Sequence, residues 1–228
     1  MSKHKLSARD IVLSYGIYIA FIIICIVFAV LSPDFFSPSN IHNILIQTSA
    51  IAIVAIGQTL VILTGGIDIS VGRLMGMSGI LIGVFASKGV GLVGVAVIGI
   101  ACGVVVGIVN GYLIGYVRIP AFIATLGTQG VCYGISLIIS QGMPFSSFPK
   151  NFDWMGTAKV GGISFLLLFT IVLYLLFWIF STKTKTGRYI YSIGGNREAV
   201  RLSGINTARY EMIAYIICGF LAGVGGLM

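Results

Sequence analysis

Asp68 is the acidic side chain set deepest between apolar runs in this sequence. It lies in Gly57–Gly72, GQTLVILTGGIDISVG, just after the Gly65–Gly66 pair and two residues before Ser70. A glycine pair weakens helix continuity, and a carboxylate at such depth is costly unless it is bonded. Two roles fit. Asp68 caps a helix beginning at Ile69 by accepting from its open N–H groups, or it meets a solute or carries a coupling charge. Upstream, Gln47 and Gln58 stand 11 residues apart, as do Thr48 and Thr59. At about 100° per residue each pair returns to nearly the same helix face. Such a polar stripe either lines a solute path or bonds to neighbouring helices.

The other reactive residue types point away from covalent chemistry. His4 lies in the N-terminal tail and His42 in a connection, and no acidic pair or metal-spaced cluster falls inside an apolar run. Cys25, Cys102, Cys132 and Cys218 sit inside apolar runs without C-x-x-C spacing and read as small buried hydrophobes. The expectation is a protein that is not an enzyme and binds no metal or cofactor of its own.

The elements that must position Asp68 and the polar stripe follow from composition. Of 228 residues, 57% are hydrophobic and only 9% charged, against roughly 25% charged in soluble domains. The chain therefore belongs in lipid. Dyad alternation of the transmembrane-barrel kind is absent, so the fold class is all-α, a polytopic transmembrane helical bundle. Candidate spans are Ile11–Leu31, Ile44–Leu63, Ile69–Ser87, Gly89–Val117, Ile119–Ser140, Gly162–Phe180 and a seventh opening near Met212. The third is the weakest because of Arg73, and a broken or partly re-entrant segment between Gly57 and Gly83 is the alternative. Met1–Asp10 resembles a signal-peptide start, but the apolar run after it is too long for a cleaved core and reads as a retained span.

Charge orients the bundle. Residues 181–210 hold Lys183, Lys185, Arg188, Arg197, Arg201 and Arg209 against Glu198 alone, and the N-terminal tail holds Lys3, Lys5 and Arg9 against Asp10. Both segments should be cytoplasmic, and the six crossings between them close that topology. The formal charge of +8 then marks loops facing anionic lipid, not nucleic acid. Lys88, Lys150 and Lys159 fall on the outer side against the trend, with Asp153 offsetting one of them. Glycine at 99, 103, 107, 111 and 115 forms one helix ridge that lets another backbone approach closely. The last apolar run stops at Met228 without a basic stop or polar tail, which gives the expectation of a chain truncated inside or just at the end of a span.

A second stretch, Thr186–Asn206, TGRYIYSIGGNREAVRLSGIN, has internal order. Gly194 and Gly195 break the chain, Asn196 caps, Arg197–Ser203 forms about two helical turns, and Gly204 ends them. Arg197 and Arg201 are four apart and share a face. This short amphipathic helix suits either the lipid surface or a groove on another protein.

With RIPAFIATLGT at Arg118–Thr128, these stretches resemble the membrane-spanning permease subunit of bacterial ABC importers for ribose and related monosaccharides. The resemblance covers essentially the whole chain. It implies a single transmembrane domain over 1–228, incomplete at its C-terminus, with about seven of ten expected spans. It implies a coupling loop at 181–211 whose Gly195, Asn196, Arg197, Glu198, Ala199, Arg201 and Gly204 seat on a partner ATPase. Gly65, Gly66, Asp68, Ser70 and Gly72 carry the family motif. Implied partners are that ATPase, which uses ATP and Mg, an extracytoplasmic sugar-binding protein, a second permease copy or paralogue, and membrane lipid. The cytoplasmic membrane is the expected location, and transport by alternating access the expected function. No Gly-x4-Gly-Lys-Ser/Thr motif occurs, which agrees with ATP being bound elsewhere. Gln47, Gln58, Asn110 and Thr125 are the solute-pathway candidates, since amides and hydroxyls match a neutral polyol. An ion-coupled secondary transporter using Asp68, or a non-transporting structural membrane protein, are the alternatives.

Overall fold

The computed structural model describes residues 8–143 and 158–228, with side chains from residue 15 onward. The expectations for the Lys3 and Lys5 tail, His4, Lys150 and Asp153 lie outside the described residues. The chain forms two compact units, Met1–Leu45 and Ile46–Met228.

The first unit contains helix α1, Ala8–Leu31, and the start of α2, Pro38–Leu63. Ser37 sets the start of α2 by accepting from the Asn40 N–H at 3.2 Å, with Pro38 in the first helical position, where its missing N–H costs nothing. Asn40 in turn donates to the Phe35 carbonyl at 2.7 Å. The Phe28 and Phe35 rings stack 5.8 Å apart above this corner.

The second unit continues α2 and adds α3 (Val71–Ser87), α4 (Leu92–Gly115), α5 (Ala121–Ser140), α6 (Phe165–Lys183), α7 (Lys185–Leu202) and α8 (Thr207–Gly225). Helices α2, α4, α5, α6 and α8 are long and apolar enough to cross a membrane, while Tyr15–Leu31 of α1 and all of α3 are shorter apolar helices. Ile17, Val93 and Ile138 are each more than three-quarters exposed, as expected of side chains facing lipid.

A two-stranded hairpin, β1 (Lys159–Val160) with β2 (Ile163–Ser164), qualifies the all-α expectation. Its turn places Gly161 and Gly162 at φ +60° and +85°. The helix expected from Gly162 therefore opens at Phe165, because those two glycines are spent on a turn that L-residues with side chains disfavour.

Helix α8 is the centre of this unit, with Tyr215, Cys218, Leu221 and Ala222 fully buried. Between apolar helices in lipid, association rests on close packing more than on water exclusion. The α4 glycines supply it by lying antiparallel on α8. A Cβ at Gly107 would stand 2.5 Å from the Tyr215 carbonyl oxygen, one at Gly115 2.7 Å from that of Ala208, and one at Gly103 would collide with the Gly219 carbonyl. Gly99 differs, since its Cβ would meet Ile82 and Ser78 of α3. Overpacking costs typically about 1–3 kcal/mol, and here the obstacle is backbone. Gly103→Val is accordingly expected to lower the thermal midpoint in detergent, whereas Gly130→Ala, with open space around it, leaves it unchanged or raised. Comparable midpoints for the two variants would refute the ridge packing.

The last apolar helix, α8, begins at Thr207, five residues earlier than Met212 suggested. Asn206 caps it, accepting from the Arg209 N–H at 3.2 Å. Glu211 then falls inside the helix. Charge alone could not mark this boundary, because that carboxylate is paired rather than exposed.

Candidate functional site

The chain breaks after Leu63. Gly65 adopts φ +80°, the Gly66 N–H returns to the Val61 carbonyl at 3.1 Å, and residues 64–70 run without helix until α3. This bears out a broken segment between Gly57 and Gly83, with the open backbone held in protein. Gly66 lies against the Tyr215 hydroxyl so closely that a Cβ there would collide with it.

Asp68 is buried, but it does not cap a helix at Ile69. Helix α3 begins at Val71, and Asp68 Oδ1 accepts from Ser70 N–H at 2.9 Å and from Ser70 Oγ–H at 2.6 Å. The carboxylate thus fixes the residue that opens α3. Asn110 Nδ2 of α4 donates to Ser70 Oγ at 3.0 Å, and Thr125 Oγ1 of α5 accepts from the Ile69 N–H at 3.4 Å. Asp68, Ser70, Asn110 and Thr125 are all at most 3% exposed. The segment after the glycine pair is therefore tied to α4 and α5 by a buried polar network. Asn110 and Thr125 serve that network. Gly72 lies exposed in the first turn of α3, with open space at its Cβ position.

The polar stripe of α2 is less enclosed. Gln47 and Thr48 are exposed, Gln58 is half-buried with Cys218 Sγ–H 3.8 Å from its carbonyl, and Thr59 donates to its own helix at Ala55.

The second stretch is more ordered than a loop. Thr184 caps α7, accepting from the Gly187 N–H at 3.1 Å, and the helix continues through Gly194 and Gly195. The break comes one residue later, at Asn196, with φ −157° and ψ 94°. Gly194 stays helical and packs on the Leu63 carbonyl, where a side chain has no room. Asn196 Oδ1 then accepts from the Ala199 N–H at 2.9 Å, capping the short turn Arg197–Leu202, and Gly204 ends it at φ +81°. Val200 anchors this turn in the protein, while Gly195, Asn196, Arg197, Glu198, Ala199, Arg201 and Gly204 are exposed, as is Leu202 at 75%.

The two arginines expected to share a face have different partners. Arg201 and Glu198 pair on the surface, at 3.0 and 2.5 Å, and that bond holds the Glu198 carboxyl below its usual range while raising Arg201. Arg197 turns inward and donates through Nε and Nη2 to Glu211, the latter at 3.1 Å. Arg118, at φ +70° in the turn between α4 and α5, reaches the same carboxylate at 3.5 Å. The Glu211 side chain is 8% exposed against 42% for Arg197 and 46% for Arg118. One buried carboxylate on α8 thus joins the exposed turn to the α4–α5 turn. Sequence reasoning missed Glu211. The available signal was an acidic residue at the head of an apolar run with unmatched arginines on the same side of the topology.

The chain is a multi-helix membrane bundle with an exposed turn tethered through Glu211. It belongs to the family described as branched-chain amino acid transport system / permease component, whose model matches residues 40–228. It is 37% identical over 218 residues to the ribose import permease protein of Escherichia coli strain K12, covering 92% of this chain and 67% of that one. The D-allose transport system permease protein of the same strain is 33% identical over 216 residues, covering 94% and 66% respectively. The galactose/methyl galactoside import permease protein of Haemophilus influenzae is 32% identical over 243 residues, covering 98% and 72%. The chain thus spans about two thirds of the length of these relatives. No solved structure matches it significantly.

Proposed function

We propose that this chain is the membrane subunit of an ATP-driven importer that moves a monosaccharide, ribose or a related sugar, across the cytoplasmic membrane by alternating access. Its similarity to permeases named for ribose, allose and galactose supports the sugar class. The proposal has seven spans of an expected ten and a cytoplasmic N-terminus, because the basic residues of the α7 region and of the N-terminal tail both call for the cytoplasmic side. A separate ATPase uses ATP and Mg, an extracytoplasmic binding protein delivers the sugar, and a second permease copy or paralogue completes the path.

The observation that carries this reading is the Asn196–Gly204 turn, which is capped, anchored by Val200 and otherwise exposed. Force applied there by an ATPase reaches α8 and the α4–α5 turn through Arg197, Glu211 and Arg118. No bond in the sugar changes. Gln47 and Gln58 remain the proposed pathway residues, whereas Asn110 and Thr125 act by holding the Asp68 segment.

The docking residues are best tested away from the Glu211 pair. Replacing Arg201 and Leu202 together with alanine is expected to reduce sugar uptake by the assembled transporter about tenfold or more, as truncation of interface anchors commonly costs over 1.4 kcal/mol. Uptake and ATPase assembly at the unaltered level would remove the docking role. Uptake that needs a proton or sodium gradient and no ATPase would replace it with ion-coupled transport.

A further inference from the structure

Helices α2 and α6 flank an open groove lined chiefly by Ile56, Leu60 and Leu63 of α2 and Phe177, Trp178 and Ser181 of α6. The α2 residues recur at intervals of four and three and the α6 residues lie along one helix face, so the groove runs with the helix axes. Trp178 is 58% exposed, which opens the groove sideways to lipid.

Its Ser181 end has a distinct electrostatic character. Lys183 closes α6, Lys185 opens α7, and both are exposed together with Arg188. The Arg188 guanidinium donates to the Lys183 carbonyl at 3.2 Å, which holds it over the end of α6. The acids of α7 and α8, Glu198 and Glu211, are taken by Arg201, Arg197 and Arg118, and none of Lys183, Lys185 and Arg188 has an ion-pair partner among the described residues. An apolar, aromatic-walled channel therefore ends beneath three uncompensated cations. A purely apolar occupant, or a zwitterionic lipid, would fill the channel without meeting that charge. A lipid with a net negative headgroup meets both requirements.

We propose that this groove binds an anionic phospholipid, with an acyl chain between α2 and α6 and its phosphate against Lys183, Lys185 and Arg188. The site goes beyond the transport reading and can be tested without sugar or ATPase. Trp154→Phe leaves Trp178 as the only tryptophan, so bromine on a bound acyl chain reports occupancy by quenching its fluorescence. The full chain is reconstituted in phosphatidylcholine vesicles containing a minor fraction of brominated phosphatidylglycerol or, separately, of brominated phosphatidylcholine. Half-maximal quenching is expected at a roughly tenfold lower fraction of the anionic lipid. Substituting Lys183, Lys185 and Arg188 with glutamine should abolish that preference while quenching by brominated phosphatidylcholine persists, which shows the groove is intact. Equal quenching by the two lipids would overturn the proposal and leave only non-selective annular contact. A preference that survives the triple substitution would overturn it as well, and so would absence of quenching by either lipid, which means that protein covers the groove.

Discussion

Glu211→Gln is expected to separate ATP hydrolysis from sugar movement. The substitution keeps the side chain's shape but removes the charge that Arg118 and Arg197 share. Hydrogen bonds to a charged group are worth about 1.5–3 kcal/mol, so losing charge assistance on two arginines weakens the link by about 2 kcal/mol. Both arginines are more than two-fifths exposed and water restores part of that loss, which keeps the cost below the range of a fully buried pair. Uptake should then fall more than tenfold, while hydrolysis by the assembled ATPase falls much less. The Asn196 cap and the Val200 anchor do not involve Glu211, so the exposed turn itself should persist. A double-mutant cycle with Arg197→Gln checks the pairing directly. Additive effects of the two substitutions would show that the contact transmits nothing.

The second large effect concerns Asp68. Ser70 is fully buried, and both its N–H and its hydroxyl donate to one carboxylate oxygen. Asp68→Ala leaves two buried donors without an acceptor, at about 1–3 kcal/mol each. The start of α3 should loosen and the thermal midpoint fall by at least several degrees. Asp68→Asn retains an Oδ1 acceptor and is expected to lose less than half as much. If asparagine proved as damaging as alanine, the carboxylate charge itself would be the requirement, and the role assigned to the hydrogen bonds would fail.

The order of the helices was legible because apolar run length is set by membrane thickness, and each run in the sequence became a helix among the described residues. The glycine ridge at 99–115 was legible for a similar reason, since a spacing of four on one helix needs no knowledge of the partner. The network around Asp68 was not. Its bonds to α4 and α5 span 40 residues from Ser70 to Asn110 and 56 from Ile69 to Thr125. No local pattern encodes such pairings, so the sequence left the carboxylate between a cap for the nearest helix and a solute or coupling role. Glu211 was lost to the same cause from the other direction, because a charge counted as a membrane boundary stops being one when arginines from two other segments neutralise it. The break falls at Asn196 and not at Gly194, where the glycine instead makes room for the Leu63 carbonyl. Glycine in a sequence signals freedom and close packing alike.

Crosslinking at Leu202 tests the central claim most directly. In membranes holding the complete transporter, Cys25, Cys102, Cys132 and Cys218 are replaced by serine or alanine, and a single cysteine is placed at Leu202 or, as the control, at Val160 of the hairpin. Leu202 is 75% and Val160 57% exposed, so both react readily. With a short bifunctional thiol reagent, Leu202→Cys should join the ATPase subunit in high yield, and Val160→Cys should not. Equal yields at the two positions, or a crosslink to the ATPase from Val160 alone, would contradict the assignment of the 196–204 turn as the surface that receives the ATPase.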